Sequence, residues 1–262
     1  EGASSENAIF TPRLSGDYRV TLRITTPSGE VLSCSWVVHV EGPGLRVEMC
    51  YPESETQDLD LFLHRPNDTT PWYVSGGTAF QPIPEASCGW HNCEARIRLT
   101  RHPITGGPVT RADWGYPDTP LEHCENGPQG DQWRALGACK NPRLDIDNNL
   151  SEGVGLPENI NVDNPRDGDS FRIMVQNYSG VVARPVVNVY CAGRRVATYG
   201  QAPDVVPNFR GRHGGESVGA MWRVADVLVH VDPSGALECE VTPLYAPDRP
   251  GEPWVTYDDP RY

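Results

Sequence analysis

The chain has no run of about 18 apolar residues, which excludes a membrane-spanning helix. It has no Cys-x-x-Cys pair, and its closest metal-like spacing, Cys88-Gly-Trp-His91-Asn-Cys93, has no second matching half. That argues against a structural zinc site. It has no His-Glu-x-x-His or His-x-x-Glu-His among its 7 histidines, so the common zinc-hydrolase signatures are missing. Cations are in deficit: 22 Lys and Arg face 35 Asp and Glu, for a net charge of −13. Such a surface repels nucleic acid and anionic membranes and suits cations, calcium first among them. There is no internal repeat and no convincing helical pattern. The chain opens Glu1-Gly-Ala-Ser-Ser5, with neither Met nor an apolar signal core, which reads as a processed product or an excised piece.

What is present is turn-forming and apolar in short bursts. Gly 26 and Pro 25, with 38% hydrophobic residues, describe a globular chain of many turns. In Asp17–Thr25, Tyr18, Val20, Leu22 and Ile24 alternate with Arg19, Thr21 and Arg23. That is the period of a half-buried strand. After the turn Thr26-Pro-Ser-Gly-Glu30, Val31–Val40 answers with Leu32, Cys34, Trp36, Val38 and Val40 on one face. Gly42-Pro-Gly44 then breaks the pattern and marks a boundary. Further strands are predicted at Leu45–Cys50, Leu59–His64, Trp72–Ser75, Ala95–Thr100, Phe171–Tyr178, Val186–Cys191, Arg195–Tyr199, Trp222–Val231 and Leu237–Leu244.

The pattern predicts an all-β protein: an antiparallel β-sandwich, jelly-roll or immunoglobulin-like, with long disulfide-tied loops. Residues 1–43 form a partial immunoglobulin-like lobe, 44–245 the sandwich and 246–262 an extended tail. Residues 101–170 are polar and poor in strands. They need tethers, for which the Cys124/Cys139 pair and the carboxylate-rich stretch 145–163 are available.

Eight scattered cysteines, Cys34, Cys50, Cys88, Cys93, Cys124, Cys139, Cys191 and Cys239, read as four disulfides in an oxidising, extracellular or cell-surface compartment. Sequence alone does not fix their connectivity. Cys88 with Cys93 and Cys124 with Cys139 can close local loops, the latter worth about 3 kcal/mol in the chain-entropy model. Cys34 with Cys50 and Cys191 with Cys239 are the better core staples.

Asp58-Leu-Asp60-Leu-Phe-Leu63 puts two carboxylates on one strand face and three leucines on the other, and Asp145-Ile-Asp147 repeats the device ahead of Glu158. Calcium takes about six to eight oxygens, which such a set can supply. Asp58, Asp60, Asp145, Asp147 and Glu158 are therefore the candidate calcium ligands. The EF-hand template is not met, because Leu150 and Leu156 fall at its glycine and final glutamate positions. His64, beyond Asp60 on the same strand, is a further group that could face a metal or ligand. Trp90, Trp114 and Tyr116 fall in loops and are the candidate ligand-binding aromatics, since sugar rings stack on such platforms. Gly215-Glu-Ser217-Val-Gly219 matches a serine-nucleophile motif but lacks the preceding apolar strand and following helix, so no catalytic residue is assigned.

Gly16-Asp-Tyr18-Arg-Val20-Thr-Leu22 resembles the late strands of PKD-type immunoglobulin-like domains. Gly44-Leu-Arg-Val-Glu-Met-Cys50 through His64-Arg-Pro66 looks like a secreted bacterial domain of uncharacterised function. So do Cys88–Cys93, Asn141-Pro-Arg-Leu-Asp145-Ile-Asp147, Pro157-Glu158-Asn159-Ile160 and Phe171-Arg-Ile-Met-Val175. The Asp-x-Asp strand and Tyr178 also resemble bacterial pre-peptidase C-terminal domains, β-sandwiches attached to secreted enzymes, some of them calcium-dependent. The resemblance implies an accessory, surface or adhesive role and no reaction. The function expected is non-catalytic adhesion, binding of a polysaccharide or protein partner, or self-assembly by strand addition, with calcium as stabiliser. A carbohydrate-binding accessory module of a secreted hydrolase is the runner-up, and a hydrolase the third reading.

Overall fold

The computed structural model describes residues 8–10, 16–40, 42–51, 58–74, 81–124, 130–148, 157–178, 183–201, 220–257 and 259–262. The chain folds into an all-β sandwich. Its strands are β1 (Gly16–Thr25), β2 (Val31–Val40), β3 (Leu45–Cys50), β4 (Leu59–His64), β5 (Tyr73–Val74), β6 (Gln81–Pro82), β7 (Ser87–Cys88) and β8 (Arg143–Leu144). They continue with β9 (Glu158–Val162), β10 (Ser170–Asn177), β11 (Val186–Cys191), β12 (Arg194–Tyr199), β13 (Met221–Val231), β14 (Leu237–Pro243) and β15 (Trp254–Thr256). Two short helices, α1 (Leu121–Cys124) and α2 (Gly130–Arg134), lie in the long central loop.

One sheet has six strands in the order β14-β13-β10-β4-β7, with β15 also on β13, and the other has five in the order β12-β11-β3-β9-β8. Every pairing is antiparallel. The alternation read from sequence fills the space between them: Leu45, Val47 and Met49 of β3, Leu59, Leu61 and Leu63 of β4, and Phe171, Ile173 and Val175 of β10 share one core. The register of β10 against β13 shifts by one residue beside Ile173 and Met174. This bulge lets β13 change parity, so that Trp222 and Val224 before it and Val227 and Val229 after it all point inward.

A second cluster, Phe62, Trp72, Tyr73, Met174 and Met221, covers the outer face of the six-stranded sheet. The tail, 246–262, packs on this sheet. Its β15 pairs with Met221–Arg223, the Trp72 N–H donates to the Pro260 carbonyl at 2.9 Å, and Tyr262 packs edge-on against His64. Ala95–Thr100 is not a strand. There the Arg98 guanidinium turns back to Glu94, and the carbonyls of Glu94 and Ala95 accept from Arg111 instead of a ladder partner.

The segment before β3 stands apart. β1 and β2 pair with each other over ten residues and form a separate two-stranded sheet. Opposite pairs Val20–Trp36, Leu22–Cys34 and Ile24–Leu32 make one apolar face. Leu22, Ile24, Leu32 and Trp36 on it are 46–51% exposed. The ribbon joins the sandwich through Gly44, whose φ is +74°. A Cβ there would lie within 2.6 Å of the Asp163 backbone, so both the backbone conformation and the space require glycine.

Disulfides join Cys88 to Cys93, Cys124 to Cys139 and Cys191 to Cys239. The fourth expected bridge is absent: Cys34 and Cys50 are free. The physical reason is placement. Cys34 sits across from Leu22 in the ribbon, whereas Cys50 sits across from Val186 in the five-stranded sheet. A disulfide needs Cα atoms about 4.4–6.8 Å apart, which strands of one sheet or of facing sheets supply and these two do not.

Candidate metal centre

The two sheets stack so that β4 lies against β9. β7 pairs with Leu63 and His64, and ahead of them β4 has no ladder partner on that edge among the described residues. Glu158, the first residue of β9, shares the parity of the core residues Ile160 and Val162 and reaches across the seam to that edge. One of its carboxylate oxygens accepts the Leu61 N–H at 2.8 Å and the other accepts the Asn148 N–H at 3.0 Å. Glu158 therefore occupies the place of a missing strand, and its orientation is fixed by two backbone donors.

Asp60 and Asp147 converge on it. One carboxylate oxygen from each of Asp60, Asp147 and Glu158 lies within 4.8 Å of the others, and all three residues are buried. Asp60 is 6% exposed and its Oδ2 accepts no hydrogen bond. Burial, then the charges of Asp58 and Asp147, pushes the Asp60 carboxyl well above the usual range. Burial, then Asp60 and Asp147, does the same to Glu158, against the opposing pull of the Leu61 and Asn148 N–H groups. Among the described residues Arg98 reaches the group: its Nη1 is 3.6 Å from Asp147, and the same guanidinium is held by Glu94. Tyr51 closes the site from β3, donating its hydroxyl to the Asn148 carbonyl at 2.6 Å.

The five predicted ligands thus divide. Asp60, Asp147 and Glu158 meet. Asp58 borders them, half-buried with its Oδ1 unpartnered, and burial raises its carboxyl. Asp145 does not join them: it accepts from Asn161 Nδ2 at 2.7 Å and faces Arg143 at 3.4 Å, within a separate buried network that runs on to Asp163. Glu94 and Arg98 were missed from the sequence, although their i,i+4 spacing just after Cys93 was a signal for a pair.

The aromatic platform is not at the surface. Trp114 and Tyr116 are 8% and 6% exposed and belong to the main core, with Trp114 6.1 Å from the Phe171 ring. Trp90 is partly buried against both clusters. The loop holding these residues folds over the open end of the sandwich and brings its rings with it. His64 is fully buried, its ring nitrogens within 3.1 Å of the Arg65 carbonyl and 2.8 Å of the Thr70 carbonyl, away from any metal ligand set. His102 lines a small cavity with Glu85, but its Nδ1 accepts two backbone N–H groups and its Nε2 faces Glu85 at 2.9 Å. It has no lone pair left for proton abstraction. The Gly215–Gly219 motif lies outside the described residues.

No family model, no curated protein and no solved structure matches the chain. Function must be argued from the geometry above. Among the described residues no helix is long and apolar enough to cross a membrane.

Proposed function

We propose that the chain is an extracellular, non-catalytic β-sandwich protein that works by assembly, with its N-terminal ribbon as the docking element. The observation that carries this reading is the ribbon itself. A two-stranded sheet cannot bury both faces or satisfy its outer edges alone. Here the face built from Val20, Leu22, Ile24, Leu32 and Trp36 remains half-exposed, and β1 and β2 each leave one edge without a ladder partner among the described residues. Exposed apolar surface of this kind marks interaction sites. Both edges suit strand addition by a second copy, in which main-chain hydrogen bonds supply affinity.

Three disulfides fit an oxidising compartment. The carboxylates that converge are buried between the two sheets and held by backbone N–H groups, which favours a structural role for them over acid–base chemistry. The burial of Trp114 and Tyr116 removes the main support for a carbohydrate-binding accessory role. Deleting residues 1–40 and measuring mass by light scattering tests the proposal. The intact chain should associate and the truncated one should remain monomeric with the sandwich folded. Equal association of the two overturns it.

A further inference from the structure

We propose that Asp60, Asp147 and Glu158 bind one calcium ion that clasps the two sheets along the β4–β9 side. This is independent of the assembly reading, since it concerns a different part of the molecule.

The stacking of the sheets gives the sandwich two long sides. On one, β14 lies against β11 and β12, and the Cys191–Cys239 bond crosses between the sheets there. On the other, β4 faces β9; the Cys88–Cys93 bond links β7 to the carbonyl that accepts the Leu144 N–H of β8, but no disulfide among the described residues joins β4 to β9 themselves. Along that line the chain places three carboxylates: Asp60 from one sheet, Glu158 from the other, and Asp147 just past β8 at the outer edge of the second.

Solvated loop acids do not account for the arrangement. Asp60, Asp147 and Glu158 are 6%, 5% and 1% exposed, so water is not their partner. A buried carboxylate requires compensation by hydrogen bonds, a cation or a proton. Glu158 has two backbone donors, which favour its ionised form. Asp60 has none at Oδ2, which is buried beside two other carboxylates. Arg98 approaches Asp147 and is also engaged by Glu94. A divalent cation at the meeting point supplies the missing charge and gives Asp60 Oδ2 its partner.

The donor set selects the ion. All three ligands are oxygen, which suits a hard cation and not zinc or copper. Calcium accepts a mixed sphere of carboxylates and water and tolerates irregular geometry. Magnesium demands near-ideal octahedral geometry and releases its water reluctantly. Sites in extracellular modules bind calcium with dissociation constants on the order of 0.1–1 mM.

The test uses the full chain, stripped with chelator and then titrated with calcium chloride or magnesium chloride. Calcium at 100-fold over its dissociation constant should raise the melting temperature by about 5 °C or more, with magnesium giving less. Calorimetry should count one ion. Asp60→Asn and Glu158→Gln should abolish the calcium shift, while Asp118→Asn, at a half-exposed pair with Lys140, should retain it. Terbium luminescence sensitised by the nearby Tyr51 gives a readout that needs no variant. An unchanged melting temperature in calcium, with no terbium signal, overturns the proposal. So does a parent protein indifferent to calcium whose Asp60→Asn variant melts higher, because the cluster is then neutralised by a shared proton.

Discussion

Tyr116 donates its hydroxyl hydrogen to Asp169 at 2.6 Å, and Asp169 accepts the Arg166 N–H through the same oxygen. This bond holds the 112–116 loop against the entrance to β10, with the Trp114 ring over Phe171 beneath it. The two rings are therefore structural anchors. Tyr116→Phe should cost about 1.5–3 kcal/mol, the usual range for a hydrogen bond to a charged group. Trp114→Ala should cost about 3–5 kcal/mol, because a buried aromatic leaves a cavity. Urea unfolding measures both. A Trp114→Ala cost below about 0.5 kcal/mol would show a surface ring instead.

Two thiols should titrate, and at different rates. Cys34 is exposed on the ribbon face. Cys50 is half-buried, and burial, then the charge of Glu48, pushes its thiol up to about 12. The thiolate is the reactive form, so at pH 8 Cys50 should be nearly inert until the chain unfolds. A chromogenic thiol reagent should count one group in the native protein and two in denaturant. Zero in denaturant would restore the fourth bridge.

His91 should make the fold acid-sensitive. It is fully buried, neither ring nitrogen has a hydrogen-bond partner, and burial lowers it from 6.5 to about 3. The unfolded chain therefore takes up this proton more readily than the folded one. The contribution is intact above pH 6.5 and declines as pH falls from there towards about 3. Asp60 and Glu158 have the opposite sign. Their raised values mean that acidification relieves an unfavourable charge in the metal-free fold. Denaturant unfolding in chelator between pH 7 and 4 should show a shallower acid loss for His91→Leu than for the parent. Parallel slopes would remove His91 as the cause.

Paired substitutions Leu22→Ser and Trp36→Ser should lower association while leaving the sandwich within about 0.5 kcal/mol of the parent, since neither side chain is buried in the main core. Gly44→Ala should instead destabilise by about 1–3 kcal/mol, through the clash with the Asp163 backbone and the left-handed φ. Scattering and calorimetry on the same samples separate the two effects.

The strands legible in the sequence are those long enough to show a period. Val31–Val40, Leu45–Cys50, Leu59–His64 and Val186–Cys191 were read with their observed bounds. The two-residue strands Tyr73–Val74, Gln81–Pro82, Ser87–Cys88 and Arg143–Leu144 carry no period to read. Glu158–Val162 was read as carboxylate loop because Glu158, Asn159 and Asn161 look solvated. In the fold Asn159 and Asn161 are buried by hydrogen bonding to Arg46 and Asp145. Of the Asp58-x-Asp60 pair, Asp60 reaches the buried carboxylate cluster and Asp58 borders it. Of the Asp145-x-Asp147 pair, Asp147 joins the same cluster, whereas Arg143, two residues before Asp145, draws Asp145 into its own network. Burial of loop aromatics was not legible either, since flanking Gly and Pro mark a turn without saying what lies under it.

The Cys191–Cys239 bond joins residues at a sequence separation of 48, across a loop that includes β12 and β13. Loop closure of that length restrains the unfolded chain by about 4 kcal/mol. It also changes what a protease can achieve. A single cut anywhere inside the loop leaves the amino-terminal and carboxy-terminal pieces covalently joined, with β13 still paired to β10 and β14. Such a nicked molecule would run as one chain on a non-reducing gel and as two after reduction. Only reduction of that bond would let the two pieces part.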